Sequence, residues 1–187
     1  MTSREVDEPG LGRLEVWELE PTEERLRPLL TELFERHWAA LTFGPLIQGS
    51  AWEIRAPGPP RRLGVLDGYL TVDFGHFHFH LCIGAHAGEP GAPTPPELAR
   101  HRRTSRAYFY RRLNADGTPD SWALRLLNGH GEEQLTVLLP NPFLTEELRL
   151  EPEPRWGRLA LWDELRERYL GLPPDPRDRS GRRMLSH

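Results

Sequence analysis

The segment 76–82 alternates strictly between polar and apolar residues, and its polar residues are types that bind metals or carry protons. These residues are His76, His78, His80 and Cys82. In a β-strand, successive side chains point to opposite faces of the sheet. A strand here would therefore place three imidazoles and a thiol on one face, opposite an apolar face suited to the core.

Strand geometry limits how many of these histidines can bind one ion. Residues i and i+2 lie roughly 6.6 Å apart along a strand, and residues i and i+4 roughly 13 Å apart. Imidazole nitrogens lie about 2.0–2.1 Å from a bound metal, so two neighbouring histidines can share an ion, whereas His76 and His80 cannot easily do so. We therefore expect His78 to bind with either neighbour, and the remaining histidine to orient a ligand or transfer protons.

A third ligand must then come from another strand or loop. The candidates are His86, His130, Glu53, Glu132, Glu133 and Asp73. Of these, we expect His130 to complete the metal site formed by the strand histidines. The residues expected to surround the ligands and orient them are Asp73, Glu53, Cys82 and His86.

The histidine pattern resembles the His-x-His strands of carbonic anhydrases and cupins, over residues 76–80 only. In those families such a strand joins a further ligand and leaves one coordination position open, which implies a metal site with catalytic potential. A cupin would also have a glutamate three or four residues after the second histidine, whereas the first carboxylate after His80 is Glu89. Imidazole ligands with an open position suit Zn, Fe(II), Cu or Ni, which the pattern does not distinguish.

Gly75 interrupts the strand pattern just before the histidines. In an unbroken strand, the apolar residues of 69–74 would share a face with the histidines. A bulge or turn at Gly75 reverses this parity, and glycine within a strand is typical of such an interruption. We predict a bulge or turn, because each face then has a consistent character. The residues that it moves onto the histidine face are Tyr69, Thr71 and Asp73.

Arginines are dense in residues 100–112, which we predict to belong to a helix from about Pro96 to Leu113. Arginine binds carboxylates and phosphates through paired hydrogen bonds. The residues expected to hold an anionic substrate are Arg100, Arg103, Arg106 and Tyr108. A porphyrin with propionates would fit both the arginines and the histidines. The alternative is a solvated helix face whose charge is balanced by acidic helices elsewhere.

The remaining patterns predict two further helices and several antiparallel strands. Helices are expected over about 22–41 and 156–170, with hairpin turns at Asp67-Gly68 and around 128–131. This order of elements predicts an α+β fold with a mainly antiparallel sheet and three helices packed on it, with a barrel-like sheet as the alternative. We expect a flexible N-terminal arm (1–12), a single α+β domain (13–172) and a disordered C-terminal tail (173–187).

Composition excludes several classes of protein. All 24 basic residues are arginines, which excludes Schiff-base chemistry and a Walker-type phosphate loop, since both need lysine. The net charge of −4 argues against direct nucleic-acid binding. No apolar run reaches the roughly 20 residues of a membrane-spanning helix. A single cysteine and a polar N-terminus without a signal-peptide pattern predict a cytoplasmic protein.

Two functions of different classes fit these patterns. The first is a metalloenzyme, in which a divalent ion on the histidine strand activates water or dioxygen for a small anionic substrate. The second is a non-enzymatic module that binds haem, another tetrapyrrole or a metal ion for delivery. A scaffold protein without a ligand is a third interpretation. Elemental analysis of untagged protein and a haemin titration would separate the three.

Overall fold

The computed structural model of the chain describes residues 2–47 and 49–181. The strands in these residues are β1 (Arg4–Glu8), β2 (Gly12–Leu19), β3 (Thr42–Gly44), β4 (Leu46–Ile47), β5 (Ser50–Ala51), β6 (Arg62–Leu66), β7 (Tyr69–Asp73), β8 (His78–Cys82), β9 (Gly88–Glu89), β10 (Ala92–Pro93), β11 (Arg106–Leu113), β12 (Pro119–Leu127) and β13 (Glu133–Leu138). The α-helices are α1 (Glu23–Arg36), α2 (Pro96–Arg102) and α3 (Ala160–Leu165). Shorter helical turns cover Trp38–Ala40, Trp156–Leu159, Arg166–Leu170 and Pro176–Arg179.

The described strands form two larger sheets and two short hairpins. The six-stranded sheet has the order β1-β2-β11-β12-β13-β3, and the three-stranded sheet has the order β6-β7-β8. Mostly antiparallel sheets with three α-helices confirm the α+β prediction. In the part of the chain that the structure describes, each larger sheet runs between two edge strands and does not close on itself. The barrel-like alternative is therefore not confirmed.

The chain divides into two compact units. Unit 1 comprises the described parts of 1–17, 109–124 and 138–187, and unit 2 comprises those of 18–108 and 125–137. Each unit is assembled from separate stretches of the chain. That residues 13–172 fold as a single domain stays a prediction.

Helix α1 packs one apolar stripe into unit 2. Thr22 precedes it in an extended conformation, and its carbonyl accepts a hydrogen bond from the Leu26 amide. Pro28 lies inside the helix without ending it. The fully buried residues of the helix are Leu26, Leu29, Leu30, Leu33 and Phe34. Their spacing of three and four residues is that of an amphipathic helix.

The three-stranded sheet presents an apolar face to the core of unit 2. The ring of Phe34 in α1 has its centroid 5.3 Å from that of Phe79 in β8 and 5.1 Å from that of Phe43 in β3. Leu70 and Val72 in β7 are fully buried on the same face. This aromatic packing holds the opposite face of the sheet, which carries the histidines, toward the outside.

A turn at Gly75 joins β7 to β8, as the sequence predicts. Gly75 has φ +85°, a conformation that favours glycine. The antiparallel register pairs Val72 with Phe79 and Thr71 with His80. The apolar residues of both strands therefore share one face and the polar residues the other, which confirms the predicted change of parity.

The prediction of one long helix over 96–113 is wrong in its second half. Helix α2 ends at Arg102, Arg103 is already extended, and Arg106–Leu113 form strand β11. The amide and hydroxyl of Thr104 both donate to the carbonyl of Cys82, which draws the chain away from a helical path. The aromatic run 108–110 favours a strand, and tertiary packing decides the outcome because propensity alone is weak.

The expected mobile N-terminal arm is instead largely ordered in a hairpin. Strand β1 pairs antiparallel with β2, from Arg4 opposite Val16 to Glu8 opposite Gly12. The hydroxyl of Ser3 donates a 2.7 Å hydrogen bond to Glu15. A polar composition suggested mobility, but main-chain hydrogen bonds to β2 do not require apolar side chains.

The C-terminal segment is also ordered as far as residue 181, which corrects the prediction of a disordered tail from residue 173. Pro176–Arg179 form a helical turn, and Asp178 within it is 0% exposed. Its carboxylate accepts hydrogen bonds of 2.8 Å from the indole nitrogens of Trp122 and Trp162 and from Nη1 of Arg111. Charge pairing thus anchors a proline-rich segment. Residues 182–187 of the expected tail lie outside the described residues.

Candidate functional site

The outer face of the three-stranded sheet carries two of the predicted metal ligands. His80 lies opposite Thr71 and His78 opposite Asp73 in the register of β8 and β7. The two imidazole centroids are 5.2 Å apart, and both residues are exposed. Nδ1 of His80 lies 2.8 Å from the hydroxyl oxygen of Thr71, so that this nitrogen already has a protein partner.

The other two predicted ligands lie in loops. His76 follows Gly75 in the turn before β8 and is exposed, because the same turn that fixes the parity removes it from the strand. His130 lies in the loop between β12 and β13, where its ring stacks on that of His101 with a centroid distance of 3.6 Å. Nε2 of His101 in turn lies 2.9 Å from Oε2 of Glu132.

The metal-site prediction is wrong. In residues 2–47 and 49–181, no group of three or more histidine, cysteine, aspartate or glutamate side chains is arranged to hold a metal ion. The site predicted from His76, His78, His80 and His130 therefore does not form. The metalloenzyme interpretation, which depends on that site, is also wrong. Haem binding is not tested by these contacts and stays a prediction.

The residues expected to surround the metal ligands lie in different places. Oδ1 of Asp73 accepts a 2.7 Å hydrogen bond from the amide of Gly75 and so supports the turn. Glu53 is exposed, after the short strand β5. Cys82 and His86, by contrast, take part in a second cluster at the other end of β7 and β8.

This second cluster begins at the hairpin turn between β6 and β7. The carboxylate of Asp67 accepts hydrogen bonds from the amides of Ala87 and Gly88, at 2.8 and 2.9 Å, and Oδ2 lies 2.7 Å from Nδ1 of His86. The two amide hydrogen bonds and the contact with His86 hold the pKa of Asp67 below its usual value. Asp67 is therefore an ionised anchor for the loop that follows β8.

His86 links that anchor to three further side chains. Its Nε2 lies 2.9 Å from the hydroxyl of Thr94 and 3.2 Å from Nη1 of Arg102. Its ring packs edge-on against the ring of Tyr69, with centroids 4.9 Å apart. The imidazole is only 12% exposed, so the contacts fix its orientation from several sides.

Cys82 lies at the inner edge of this cluster as a buried, neutral thiol. Burial raises the pKa of the Cys82 thiol, although the hydroxyl of Tyr69 and the charges of Arg103 and Arg102 act in the opposite sense. Burial also raises the pKa of Tyr69, and neighbouring Cys82 adds to the effect. A protonated, 2% exposed thiol is a poor nucleophile, so Cys82 contributes packing and polarity rather than covalent chemistry.

The end of α2 brings arginines to the same place. Thr104 is bonded to the carbonyl of Cys82 through both its amide (2.7 Å) and its hydroxyl (3.1 Å). Arg102 donates to His86 and also interacts with the hydroxyl of Tyr69. Because the charges of Arg102 and Arg103 both act on the Cys82 thiol, both guanidinium groups lie near this end of β8.

The predicted anion-binding arginines divide into two groups. Arg106 in β11 is neutralised by Glu18 through three hydrogen bonds of 2.7–3.2 Å. Tyr108 is 0% exposed, and its hydroxyl accepts a hydrogen bond from Arg125. Among the described residues, no carboxylate pairs with Arg100, Arg102 or Arg103, all of which are exposed. The structure therefore does not bring the predicted set of four together.

Several residues of the cluster were missed by sequence reasoning. The sequence patterns identify Asp67 only as part of a hairpin turn, and they indicate no site role for Thr94 or Arg102. The signal was the hairpin register: once Tyr69 pairs with Cys82, the residues after β8 must lie beside the preceding turn. The amides of Ile83 and Gly84 accordingly both donate to the carbonyl of Gly68.

Comparison with known proteins yields a family but no activity. A model of a family of unknown function, DUF7676, matches residues 3–171. No curated protein matches the chain. Among the described residues, no helix has both the length and the apolar character needed to cross a membrane.

Proposed function

Because the chain belongs to this family of unknown function, we propose its function from its own residues: it binds a small anionic molecule at the end of α2. The proposed site consists of Arg102 and Arg103 beside the hydroxyl of Tyr69, and we call it the α2 basic patch. A small carboxylate or phosphate compound is the ligand class that suits it, because arginine pairs with both through two hydrogen bonds.

One observation carries this proposal: the arginines of the α2 basic patch lack carboxylate partners among the described residues, whereas their neighbours in sequence have them. Arg106 pairs with Glu18, and Arg112 pairs with Asp120. Two cations without carboxylate partners at one end of β8 create a positive potential that an anion would relieve. If these arginines instead belong to an ordinary solvated surface, water satisfies their hydrogen bonds and no anion binds at one defined site. A binding measurement distinguishes the two cases.

Titration with inorganic phosphate, followed by isothermal calorimetry at low salt, tests the proposal. The unmodified protein is expected to bind at one site, and R103A should weaken binding about 10-fold or more, since a charge-assisted hydrogen bond contributes about 1.5–3 kcal/mol. R102A should weaken it similarly and also disturb His86.

The matched control is R27A. Arg27 is an exposed arginine of α1 without a partner among the described residues, and its replacement changes the net charge equally. R27A should leave the affinity for phosphate within about 2-fold of the unmodified protein, as expected for a long-range effect screened by salt. Equal weakening by R27A and R103A, or no binding by any form, would contradict a defined site.

A further inference from the structure

A carboxylate, an imidazole and a hydroxyl stand in line beside the α2 basic patch. Oδ2 of Asp67 lies 2.7 Å from Nδ1 of His86, and Nε2 of the same ring lies 2.9 Å from Oγ1 of Thr94. Both distances lie within the hydrogen-bond reach that marks an activated nucleophile, its base and the group that orients the base. The roles match those of serine-type triads, which are recognised by geometry rather than by sequence order.

The contact with Arg102 fixes the tautomer of His86. A guanidinium group can only donate hydrogen bonds. Its Nη1 lies 3.2 Å from Nε2 of His86, so Nε2 must be the acceptor and Nδ1 must hold the ring proton. Nδ1 therefore donates to Asp67, and the lone pair of Nε2 faces both Nη1 of Arg102 and the hydroxyl of Thr94. This is the tautomer that a general base in this position needs.

Main-chain hydrogen bonds hold Asp67 and Thr94, the two residues on either side of His86, in place. Asp67 accepts the amides of Ala87 and Gly88 in addition to His86. The amide of Thr94 donates a 2.8 Å hydrogen bond to the carbonyl of Ala87. Gly88 has φ +85°, and a Cβ there would lie 2.7 Å from Oγ1 of Thr94, so glycine is required where the loop passes the hydroxyl.

We propose that Thr94 is the nucleophile of an acyl-transfer site, with His86 as general base and Asp67 as the positioning residue. The substrate class, an ester that carries a carboxylate or phosphate group, rests on the proposed anion binding at the α2 basic patch. Arg102 connects the two, because it touches His86 and belongs to the patch. An anion that draws Arg102 toward itself would free Nε2 of His86 for the proton of Thr94.

The reaction balances with water as the only co-reactant. Oγ1 of Thr94 attacks the ester carbon while its proton passes to Nε2 of His86. The bond to the leaving alcohol breaks, and the alcohol takes that proton, which leaves an acyl-threonine ester. Water then attacks this ester, His86 accepts a proton from the water and returns it to Oγ1, and a carboxylic acid is released. No electron transfer is involved.

A fluorophosphonate probe tests the nucleophile directly in the full-length protein. We expect phosphonylation of the peptide that contains Thr94, identified by mass spectrometry, and retained labelling in T94S, which keeps the hydroxyl. T94V removes the nucleophile and should abolish labelling at this position. H86Q should reduce the labelling rate about 100-fold or more, which is the lower range for loss of a general base. Failure of both the unmodified protein and T94S to label at this position would overturn the proposal.

Thr71 in β7 provides a matched control. Its hydroxyl also contacts a histidine, at 2.8 Å from Nδ1 of His80, and T71V should leave labelling of Thr94 unchanged. Labelling that falls equally in T71V and T94V, or that appears at Thr71, would show nonspecific reactivity and overturn the assignment.

Measuring both the labelling rate and the phosphate affinity distinguishes a positioning role of Asp67 from a structural one. The same two measurements distinguish the acyl-transfer proposal from the binding proposal. D67N should lower the labelling rate about 100-fold while the affinity for phosphate stays unchanged; a structural role would reduce both together. Phosphate binding without labelling would overturn the acyl-transfer site and leave the proposed binding function intact. Labelling without phosphate binding would support the nucleophile and overturn the anionic substrate class.

Discussion

Nη1 of Arg111 donates a 2.8 Å hydrogen bond to Oδ1 of Asp178, and these side chains are 2% and 0% exposed. The two residues are 67 positions apart in sequence. The same carboxylate accepts the indole N–H groups of Trp122 and Trp162. It therefore compensates a buried cation and two buried donors at once, and each would be costly if left alone.

Replacement of this carboxylate is expected to destabilise the protein strongly. Arg111 also contacts Glu15 and Asp175, so D178N should reduce the free energy of unfolding by about 1–3 kcal/mol, the range for a buried donor left unsatisfied. Denaturant unfolding followed by tryptophan fluorescence measures the change. D7N is the control, because Asp7 is exposed in β1, and a surface change should stay within about 0.5 kcal/mol. Similar losses in both variants would contradict a specific role for Asp178.

The turn that sets the parity of the histidine strand should tolerate only glycine. Gly75 has φ +85°, a backbone conformation that residues with a Cβ rarely adopt. We expect G75A to cost about 1–3 kcal/mol of unfolding free energy, measured by thermal denaturation. G64A, in β6 with open space around its Cβ, should cost nothing or stabilise by up to about 1 kcal/mol. An equal loss at both glycines would refute the turn argument.

Asp67 should make the stability of the protein depend on acid pH. Its pKa is lowered in the folded state by the amides of Ala87 and Gly88, so the unfolded chain binds its proton more readily. The stabilisation is complete above the unfolded-state pKa of about 3.9 and is lost as the pH falls through the folded-state value. Melting temperatures measured from pH 6 down to pH 2 should fall less steeply in D67N. Parallel curves for D67N and the unmodified protein would contradict this contribution.

Thr104 should couple fold stability to the α2 basic patch. Thr104 is only 1% exposed. Its hydroxyl lies 3.1 Å from the carbonyl of Cys82 and 2.8 Å from Oε1 of Gln134. T104V keeps the shape but removes the hydroxyl, and we expect a loss of about 1–3 kcal/mol in unfolding free energy. Phosphate affinity should fall with it, because Arg103 immediately precedes Thr104. T31V, at a threonine of α1 without a side-chain hydrogen bond in the described structure, should change neither quantity.

Local patterns were enough to predict several elements correctly. The period-two alternation of 76–82 and the glycine before it predicted the turn and the division of polar and apolar faces. The three- and four-residue spacing of leucines predicted α1. These features depend on contacts between residues close in sequence, which a pattern records directly.

Over residues 103–113, by contrast, the helix predicted for the arginine-rich segment is wrong. Arg102 and Arg106 in fact lie on a helix and on a strand, because Thr104 is held to the carbonyl of Cys82, 22 residues earlier in the chain. A contact of that separation has no local signature. The same reason explains why the prediction of a disordered tail is wrong around Asp178, whose partners lie 16 and 67 positions away. Strand β1 pairs with its near neighbour β2, and there the polar composition led to the prediction of a flexible arm.

The amino-acid sequence by itself determined which face of β8 carries the imidazoles, because side-chain alternation is a property of the strand alone. Only the tertiary structure decided which histidine gains partners. The turn at Gly75 removes His76 from the strand, and no third ligand reaches His78 and His80 in the described residues. The register of β7 and β8 instead brings His86 between Asp67 and Thr94, because side chains far apart in sequence converge only where loops are held by long-range hydrogen bonds.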